Sequence, residues 1–461
     1  LLVSSEKPRI VGTPVVRANA YGAAITFKTN VPCNASGTFG PEGRDMAAAD
    51  RAGVRMQHSL GFVLEKPAEG SKVTHAVQLE DADGAKHPSA TGSVVLRGAN
   101  HIWTVEPDKG ADVEDGGTEQ RPWRTVQYAV DRALPGDRIL LKPGIYSRPV
   151  VITRGGAPGA PLTIAAEQKF QAVFDMRFRV ERVIHLIRAP YVELDGLEMR
   201  FYGTPDRPRG PALFIVESPG VAVRNCKIWN AYWQGPWPEG IAAEVVQSPR
   251  FVAERNLIFR NADGLRLWSS PDSRLVYNTC IGQTYAGMKL VESAAGTVLR
   301  NNDLAFNGND ILSIKVNKIE EMETFDSDYN NLGARLRYWR DEPGVVPNIK
   351  PREPMVDGSK AVVIFYRSGG TWVGGSNTDS TWVSDKTTPA DKRGSRYFRL
   401  RMFEDWKTFS GKDKHSIFAD PLHHSLVDFI FDLDPESPNI GAGENGTTIG
   451  AMDIRKGDPG K

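Results

Sequence analysis

Four successive segments of the chain follow one pattern: ALFIVESPGVAVRNCKIWNA at 212–231, AAEVVQSPRFVAERNLIFRNA at 242–262, GLRLWSSPDSRLVYNTCIGQT at 264–284 and GMKLVESAAGTVLRNNDLAFN at 287–307. A fifth segment, ILSIKVN at 311–317, begins the same way. Each segment holds short apolar-alternating runs broken by Asn, Gly or Ser-Pro, and these runs are too short for a helical hairpin. A repeat of about two dozen residues with this content predicts a parallel β-helix.

Two polar residue types recur at fixed places in these segments. The serines are spaced 30, 22 and 23 residues apart: Ser218, Ser248, Ser270 and Ser293. The asparagines are spaced 31, 22 and 24 residues apart: Asn225, Asn256, Asn278 and Asn302. Because coils of a β-helix stack at about 4.8 Å, equivalent asparagine amides are expected to bond along the stack in ladders.

The bulk composition excludes some classes of partner. Lys and Arg total 57 against 56 for Asp and Glu, a net charge of +1, so no overall field favours nucleic acid or an anionic membrane surface. No apolar run has the length of a membrane span. Three cysteines, Cys33, Cys226 and Cys280, form neither a disulfide framework nor a metal-ligand spacing, and we expect them in the core.

The chain is expected to form two parts. Residues 1–98 contain short alternating strands spaced as in a small β-sandwich, and residues 99–461 would form the β-helix. Apolar residues at helical spacing predict a short capping helix at about 124–134, which would cover the open end of the solenoid. Over about 318–412 the repeat fades and long loop excursions are expected.

Several stretches resemble known proteins. Residues 101–146, with ArgProTrpArgThrValGlnTyrAlaVal and ProGlyAspArgIleLeuLeuLysProGlyIleTyr, closely resemble the cap and first coil of the pectate-lyase-like right-handed β-helix superfamily. TyrValGluLeuAspGlyLeuGluMetArg at 191–200 and the ending SerIlePheAlaAspPro…SerProAsnIleGlyAlaGly are similar to it as well. Residues 1–98 resemble the fibronectin type III-like module of many secreted hydrolases and lyases. The resemblance implies an all-β, secreted or periplasmic, carbohydrate-active protein.

The repeat also predicts which side chains share one outer face, because strand residues alternate between faces. One outward column would contain Phe214, Glu244, Arg266, Lys289 and Ser313. The next would contain Val216, Val246, Trp268, Val291 and Lys315. The turn before the first column supplies Asp263, Ala286 and Asp310. Charges on successive coils of a sheet face are a candidate active site.

An aromatic insertion lies beside this face. The coil between Ser218 and Ser248 is the longest, at 30 residues against 22 and 23 for the next two. Its extra residues carry Trp229, Tyr232, Trp233 and Trp237. With Trp268, they are candidates for stacking on sugar rings, whose apolar C–H faces suit aromatic side chains.

These residues favour β-elimination on a uronate-containing polysaccharide. A base removes the proton α to the carboxylate, a cation stabilises the enolate, and an acid assists the leaving oxygen. We assign Lys289 as base and Arg266 as charge neutraliser or acid, with Tyr232, Trp233, Trp237, Trp268 and Lys315 binding substrate. Many relatives in the superfamily use calcium, which the resemblance would place at Glu244, Asp263 and Asp310.

Two other functions stay open. A carboxylate pair chosen from Glu244, Asp263 and Asp310 would suit glycoside hydrolysis, although the stacked Asp-rich signature of the polygalacturonase branch is missing. A non-catalytic carbohydrate-binding or adhesive β-helix is the third possibility, since a fold does not determine function.

Overall fold

The structure is a computed structural model that describes residues 6–41, 46–49, 54–234, 237–307, 310–316, 319–333, 362–366, 396–400, 403–425 and 429–451. The chain divides into two compact units. The first contains Leu1–Val173, Ile184–Leu197 and Val216–Val221, and the second contains Phe174–Val183, Glu198–Ile215 and Ala222–Lys461.

The first unit opens with antiparallel strands. They are β1 (Ile10–Asn19), β2 (Gly22–Pro41), β3 (Met46–Ala49), β4 (Arg55–Val63), β5 (Lys72–Glu80) and β6 (Lys86–Val95). The long strand β2 pairs with β1 and β4 along one part and with β3 and β5 along another, and β6 pairs with β5. Ile25, Phe39, Leu60 and Leu79 are buried in the core between them. This is the small sandwich that alternation predicted.

The first unit continues with the cap and the first coils. They contain β7 (Ile102–Val105), α1 (Val126–Arg132), β8 (Arg138–Leu141), β9 (Gly144–Tyr146), β10 (Val150–Ile152), β11 (Leu162–Ala166), β12 (Ala172–Asp175), β13 (Ile184–Ile187) and β14 (Val192–Asp195). Strands β7, β8, β11 and β14 pair in parallel. Thr125 Oγ1 accepts the N–H of Tyr128 at 3.3 Å and so caps α1, which buries Val126, Ala129 and Val130. Helix α1 lies within the predicted stretch 124–134, and its role as the cap of the solenoid stays a prediction.

Hydrogen bonds join the antiparallel strands to the cap within this unit. Ser59 Oγ donates to the carbonyl of Asp131 at 2.6 Å, and Arg154 donates to the same carbonyl at 2.9 Å and to Ser59 Oγ at 3.1 Å. Asn19 Nδ2 donates to the carbonyl of Pro135 at 2.8 Å. The carbonyl of Asp131 lies in the last turn of α1, where carbonyls have no intrahelical donor, so Ser59 and Arg154 supply the missing donors.

The second unit consists mainly of stacked coils. Its elements are β15 (Glu198–Arg200), β16 (Pro211–Val216), β17 (Ala222–Arg224), β18 (Lys227–Trp229), β19 (Trp233–Gln234), β20 (Trp237–Pro238), β21 (Ile241–Val246), β22 (Val252–Glu254), β23 (Leu257–Phe259), β24 (Asp263–Trp268), β25 (Arg274–Val276), β26 (Thr279–Ile281), β27 (Ala286–Val291), β28 (Val298–Arg300), β29 (Asp310–Val316), β30 (Asp326–Asp328), β31 (Val362–Tyr366), β32 (Arg396–Leu400), α2 (Phe403–Ser410), β33 (His423–Ser425) and β34 (Ile430–Leu433). In the described part of this unit, 3₁₀ turns lie at Ile319–Met322 and Glu444–Gly446.

Three parallel sheets run through these coils. One contains β16, β21, β24, β27, β29 and β31, with β32 antiparallel at its edge. The second contains β17, β22, β25, β28 and β30, and the third contains β15, β18, β23 and β26. The protein is therefore a right-handed parallel β-helix preceded by a small β-sandwich. The fibronectin type III-like character of residues 1–98 stays a prediction.

An asparagine ladder runs through the buried turns. Asn256, Asn278 and Asn302 each accept the backbone N–H of the preceding coil, and Asn330 extends the ladder by accepting from Asn302 at 2.9 Å. The prediction was wrong for the first member, because the backbone N–H that donates to Asn256 belongs to Cys226. Asn225 therefore lies one residue outside the ladder, with φ of 51°.

The core also contains a serine ladder, and the predicted burial of the cysteines is confirmed. The N–H groups of Ser248 and Ser270 donate to the hydroxyls of Ser270 and Ser293 at 3.0 and 2.9 Å, forming a serine ladder. All three cysteines are free and buried. Helices α1 and α2 have seven and eight residues, and no helix in the described ranges is long and apolar enough to cross a membrane.

Asn278→Ala is expected to lower the free energy of unfolding by about 2–4 kcal/mol, because buried groups that lose a partner cost about 1–3 kcal/mol each. Asn278 accepts from Asn256 N and Nδ2 at 3.1 and 2.9 Å, and it donates to Ala253 O and Asn302 Oδ1 at 2.9 and 3.0 Å. Denaturant unfolding followed by tryptophan fluorescence measures the loss. Arg274→Ala, on an exposed position of the same coil, is the control, with an effect within about 0.5 kcal/mol. Equal losses in the two variants would contradict the ladder's role.

Candidate active site

Glu244, Arg266 and Lys289 share one register position on three adjacent strands. Glu244 of β21 pairs with Arg266 of β24, and Arg266 pairs with Lys289 of β27. Lys289 pairs in turn with Ser313 of β29. The flanking residues face the core and are at most 2% exposed: Leu265, Leu267, Met288, Leu290, Leu312 and Ile314. The register predicted from the repeat is confirmed for these four members of the column, and their role as a site stays a prediction.

A buried carboxylate joins the two cations of this column. Asp263 is the first residue of β24, and its side chain is 0% exposed. Lys289 Nζ lies 2.8 Å from Asp263 Oδ1, and Arg266 Nη2 donates to Asp263 Oδ2. The N–H of Ala286 also donates to Oδ1, at 3.2 Å. A carboxylate away from water needs such partners, so Asp263 fixes both cationic side chains on the sheet face.

Glu244 closes the network on the neighbouring coil. Its Oε1 lies 3.3 Å from Arg266 Nη1. The side chains of Glu244, Arg266 and Lys289 are 20%, 24% and 22% exposed, so all three reach the surface. The cluster therefore presents an arginine and a lysine to solvent on adjacent strands, about 4.8 Å apart.

Tyr285 belongs to the same site, although the sequence reasoning missed it. It immediately precedes β27, and Lys289 Nζ lies over its ring at 5.5 Å from the centroid. Burial raises the pKa of Tyr285, and the charges of Glu239 and Asp263 act in the same direction, whereas Arg209 lowers it. The sequence did contain one indication of its place, since Tyr285 is one residue before Ala286, which lies in the turn next to the predicted column.

The pair formed by Arg209 and Glu239 was also missed. Arg209 Nε lies 2.9 Å from Glu239 Oε2, and the arginine side chain is 77% exposed while the glutamate is 14% exposed. Glu239 ends the aromatic insertion, just before β21. Both residues act on the pKa of Tyr285, which Glu239 raises and Arg209 lowers. The charges of this pair therefore act on the edge of the cluster.

The aromatic insertion contributes less to this face than its composition suggested. Trp229 lies in β18, pairs with Phe259 of β23, stacks on that ring at 5.2 Å and donates from Nε1 to Glu198 at 2.9 Å. It therefore packs along the third sheet and does not line the column. Tyr232, assigned to substrate binding, is half-buried and packs edge-on against Phe178 at 5.5 Å.

The remaining predicted residues are placed as follows. Trp268 is 39% exposed, and it pairs with Val291, which pairs with the half-buried Lys315 in the second column. Trp233 and Trp237 lie on the two strands of a short hairpin, and their side chains are outside the described residues. Asp310 pairs with Ala286 in register, but its side chain is also outside the described residues.

Two of the three carboxylates assigned to calcium, Glu244 and Asp263, do not fit the ion, and the side chain of the third, Asp310, is outside the described residues. Calcium takes about six to eight oxygen ligands, whereas both oxygens of Asp263 already face cationic side chains and Glu244 Oε1 faces Arg266. No group of three His, Cys, Asp or Glu in the described residues is arranged to hold a metal.

The fold and the cluster together define a parallel β-helix protein with a charged site on one sheet face. No protein-family model and no curated protein matches the sequence. Among solved structures, pectate lyase Pel9A is 15% identical, with 78% of this chain and 97% of that chain covered and a TM-score of 0.38.

Two further solved structures are similar to this chain at comparably low sequence identity and TM-score. XylC, solved with xylose, is 12% identical, with 50% of this chain and 66% of that chain covered and a TM-score of 0.33. A Yersinia enterocolitica Family 28 exopolygalacturonase is 13% identical, with 67% and 74% covered and a TM-score of 0.26. Similarity at this level shows the fold alone.

Proposed function

We propose that this protein is a carbohydrate-active enzyme, a polysaccharide lyase that cleaves a uronate-containing polysaccharide by β-elimination. The observation that carries the proposal is the cluster in which buried Asp263 holds Arg266 and Lys289 side by side on an exposed sheet face. Elimination requires a cation at the substrate carboxylate and a base at the adjacent carbon, and these are the two groups that the cluster offers.

The chemistry of the two side chains divides the roles between them. A guanidinium keeps its proton under all working conditions and binds carboxylates in a fork geometry, so Arg266 is assigned to the substrate carboxylate. A lysine ammonium can lose its proton and become a base, so Lys289 is assigned to the carbon-bound proton α to that carboxylate. Asp263 is a positioning residue that orients both.

The same arrangement disfavours hydrolysis by Glu244 and Asp263. A glycosidase needs two carboxyl groups that reach the substrate on either side of the scissile bond. Asp263 is 0% exposed and both its oxygens are engaged by cations, so only Glu244 of this pair has access to a sugar. The exposed members of the cluster are mainly cationic, which suits an acidic polymer.

We also propose that the protein acts outside the cytoplasm, where such polymers occur as substrates.

Ultraviolet absorbance of unsaturated uronate is the direct test, using polygalacturonate, alginate and glucuronan as a panel. We expect product from at least one polymer, and we expect it to persist in EDTA, because Arg266 and Lys289 supply the positive charge that a metal would supply. New reducing ends without this absorbance would contradict elimination and favour hydrolysis. Retardation in a polysaccharide gel without any product would favour a binding protein. Activity restored only by calcium would contradict neutralisation by Arg266.

A further inference from the structure

We propose that Tyr285 is the proton donor to the leaving oxygen in the elimination proposed above, and the inference rests on that proposed function. In the step, Lys289 removes the proton from the carbon α to the uronate carboxylate. The bond between the β-carbon and the glycosidic oxygen breaks, and a carbon–carbon double bond forms. The departing oxygen takes the phenolic proton of Tyr285 and leaves as the anomeric hydroxyl of the neighbouring sugar.

The position of Tyr285 is fixed by the backbone of two coils. Its N–H donates to the carbonyl of Ala262 at 2.7 Å, immediately before the paired residues Asp263 and Ala286. The ring then extends under Lys289, whose Nζ is 5.5 Å from the ring centroid. Tyr285 and Lys289 are therefore close enough to act on one sugar residue, in which only the β-carbon separates the α-carbon from the leaving oxygen.

The hydroxyl of Tyr285 has no structural use among the described residues. No hydrogen-bond partner lies at its oxygen there, and the oxygen is not among the buried polar atoms that lack a partner. Other tyrosines differ: Tyr202 donates to Asn261 at 2.6 Å, and Tyr146 donates to the carbonyls of Lys142 and Val105 at 2.8 and 3.1 Å. Those hydroxyls stabilise buried turns, whereas that of Tyr285 is available to a ligand.

The electrostatic surroundings keep this phenol protonated. Burial raises its pKa, the negative charges of Glu239 and Asp263 raise it further, and only Arg209 opposes them. An ordinary tyrosine begins to ionise at the alkaline end of the pH range. A raised pKa lets Tyr285 keep its phenolic proton there and remain an acid. After the step, the ammonium of Lys289 and the phenolate of Tyr285 are reset by proton exchange through water.

Tyr285→Phe tests the role because it removes only the hydroxyl and keeps the ring beneath Lys289. On the polymer that the wild-type protein cleaves, we expect kcat to fall about 100-fold with little change in KM. On a uronide that carries a 4-O-(2,4-dinitrophenyl) group, the leaving oxide needs no proton, so the variant is expected to approach the wild-type rate. A purely structural role would lower both rates together.

Tyr277→Phe is the matched control. Its hydroxyl lies 3.4 Å from Thr447 Oγ1 and it follows β25 on another sheet, so full activity is expected. If Tyr285→Phe keeps full activity on the polymer, or loses the same factor on both substrates, the assignment of the acid is overturned while the lyase stands. If the wild-type protein yields no unsaturated product from any uronide, the proposed function fails and the assignment fails with it.

Discussion

Lys289→Ala is expected to lower lyase activity about 1,000-fold or more, since a positioned general base contributes about 100- to 10,000-fold. Lys289→Arg is expected to be nearly as inactive, because a guanidinium restores the charge beside Asp263 but does not release a proton. Initial rates of unsaturated product, measured with the wild-type protein and both variants, provide the test.

Lys227→Ala is the matched control for this experiment. Lys227 lies on the third sheet, is 24% exposed against 22% for Lys289, and pairs at 3.4 Å with Glu198, which is 7% exposed. It therefore resembles Lys289 in burial and pairing but lies on a different face. We expect Lys227→Ala to retain activity. Full activity of Lys289→Ala would refute the base, whichever product the enzyme forms.

The repeat alone was sufficient for the architecture. A side-chain period of two within each strand and a stack of equivalent strands leave little freedom, so the core positions and the column of Glu244, Arg266 and Lys289 follow from spacing. Asn225, which was wrongly predicted as the first member of the asparagine ladder, shows the limit of prediction from the repeat. Counting from Asn256 back by the 30-residue spacing of the serines leads to Cys226, whereas matching residue type leads to Asn225.

Side-chain positions outside the strands could not be predicted in this way. Tyr285 lies in a turn, where no period relates sequence to direction, so its approach to Lys289 depends on packing. Trp229 was grouped with its aromatic neighbours by composition, but its place in β18 directs it along the third sheet. The burial of Asp263 likewise depends on the coil around it, because register alone does not determine how deeply a carboxylate lies.

The choice between elimination, hydrolysis and calcium binding at this site depends on side-chain contacts, which a sequence does not show. Asp263 was expected near the cations, but only the structure assigns its oxygens to Lys289 and Arg266. Those contacts account for the poor fit to calcium and for the lack of a second accessible carboxylate beside Glu244. One buried side chain therefore bears on metal use, reaction class and the position of the base.

Asp263→Ala is expected to destabilise the protein by about 3 kcal/mol, because two partly buried cations lose the buried carboxylate that lies between them. The change removes the partner of Lys289 and Arg266 and the acceptor of the Ala286 N–H, and the two cations then repel each other. Denaturant unfolding measures the loss, with activity read in parallel. Glu254→Ala is the control. Glu254 pairs with Arg224 at 3.2 Å, and each of the two side chains is 34% exposed. Loss of such a pair is expected to lower the free energy of unfolding by less than about 1 kcal/mol. A loss no larger than that of the control would show that Asp263 does not hold the cluster.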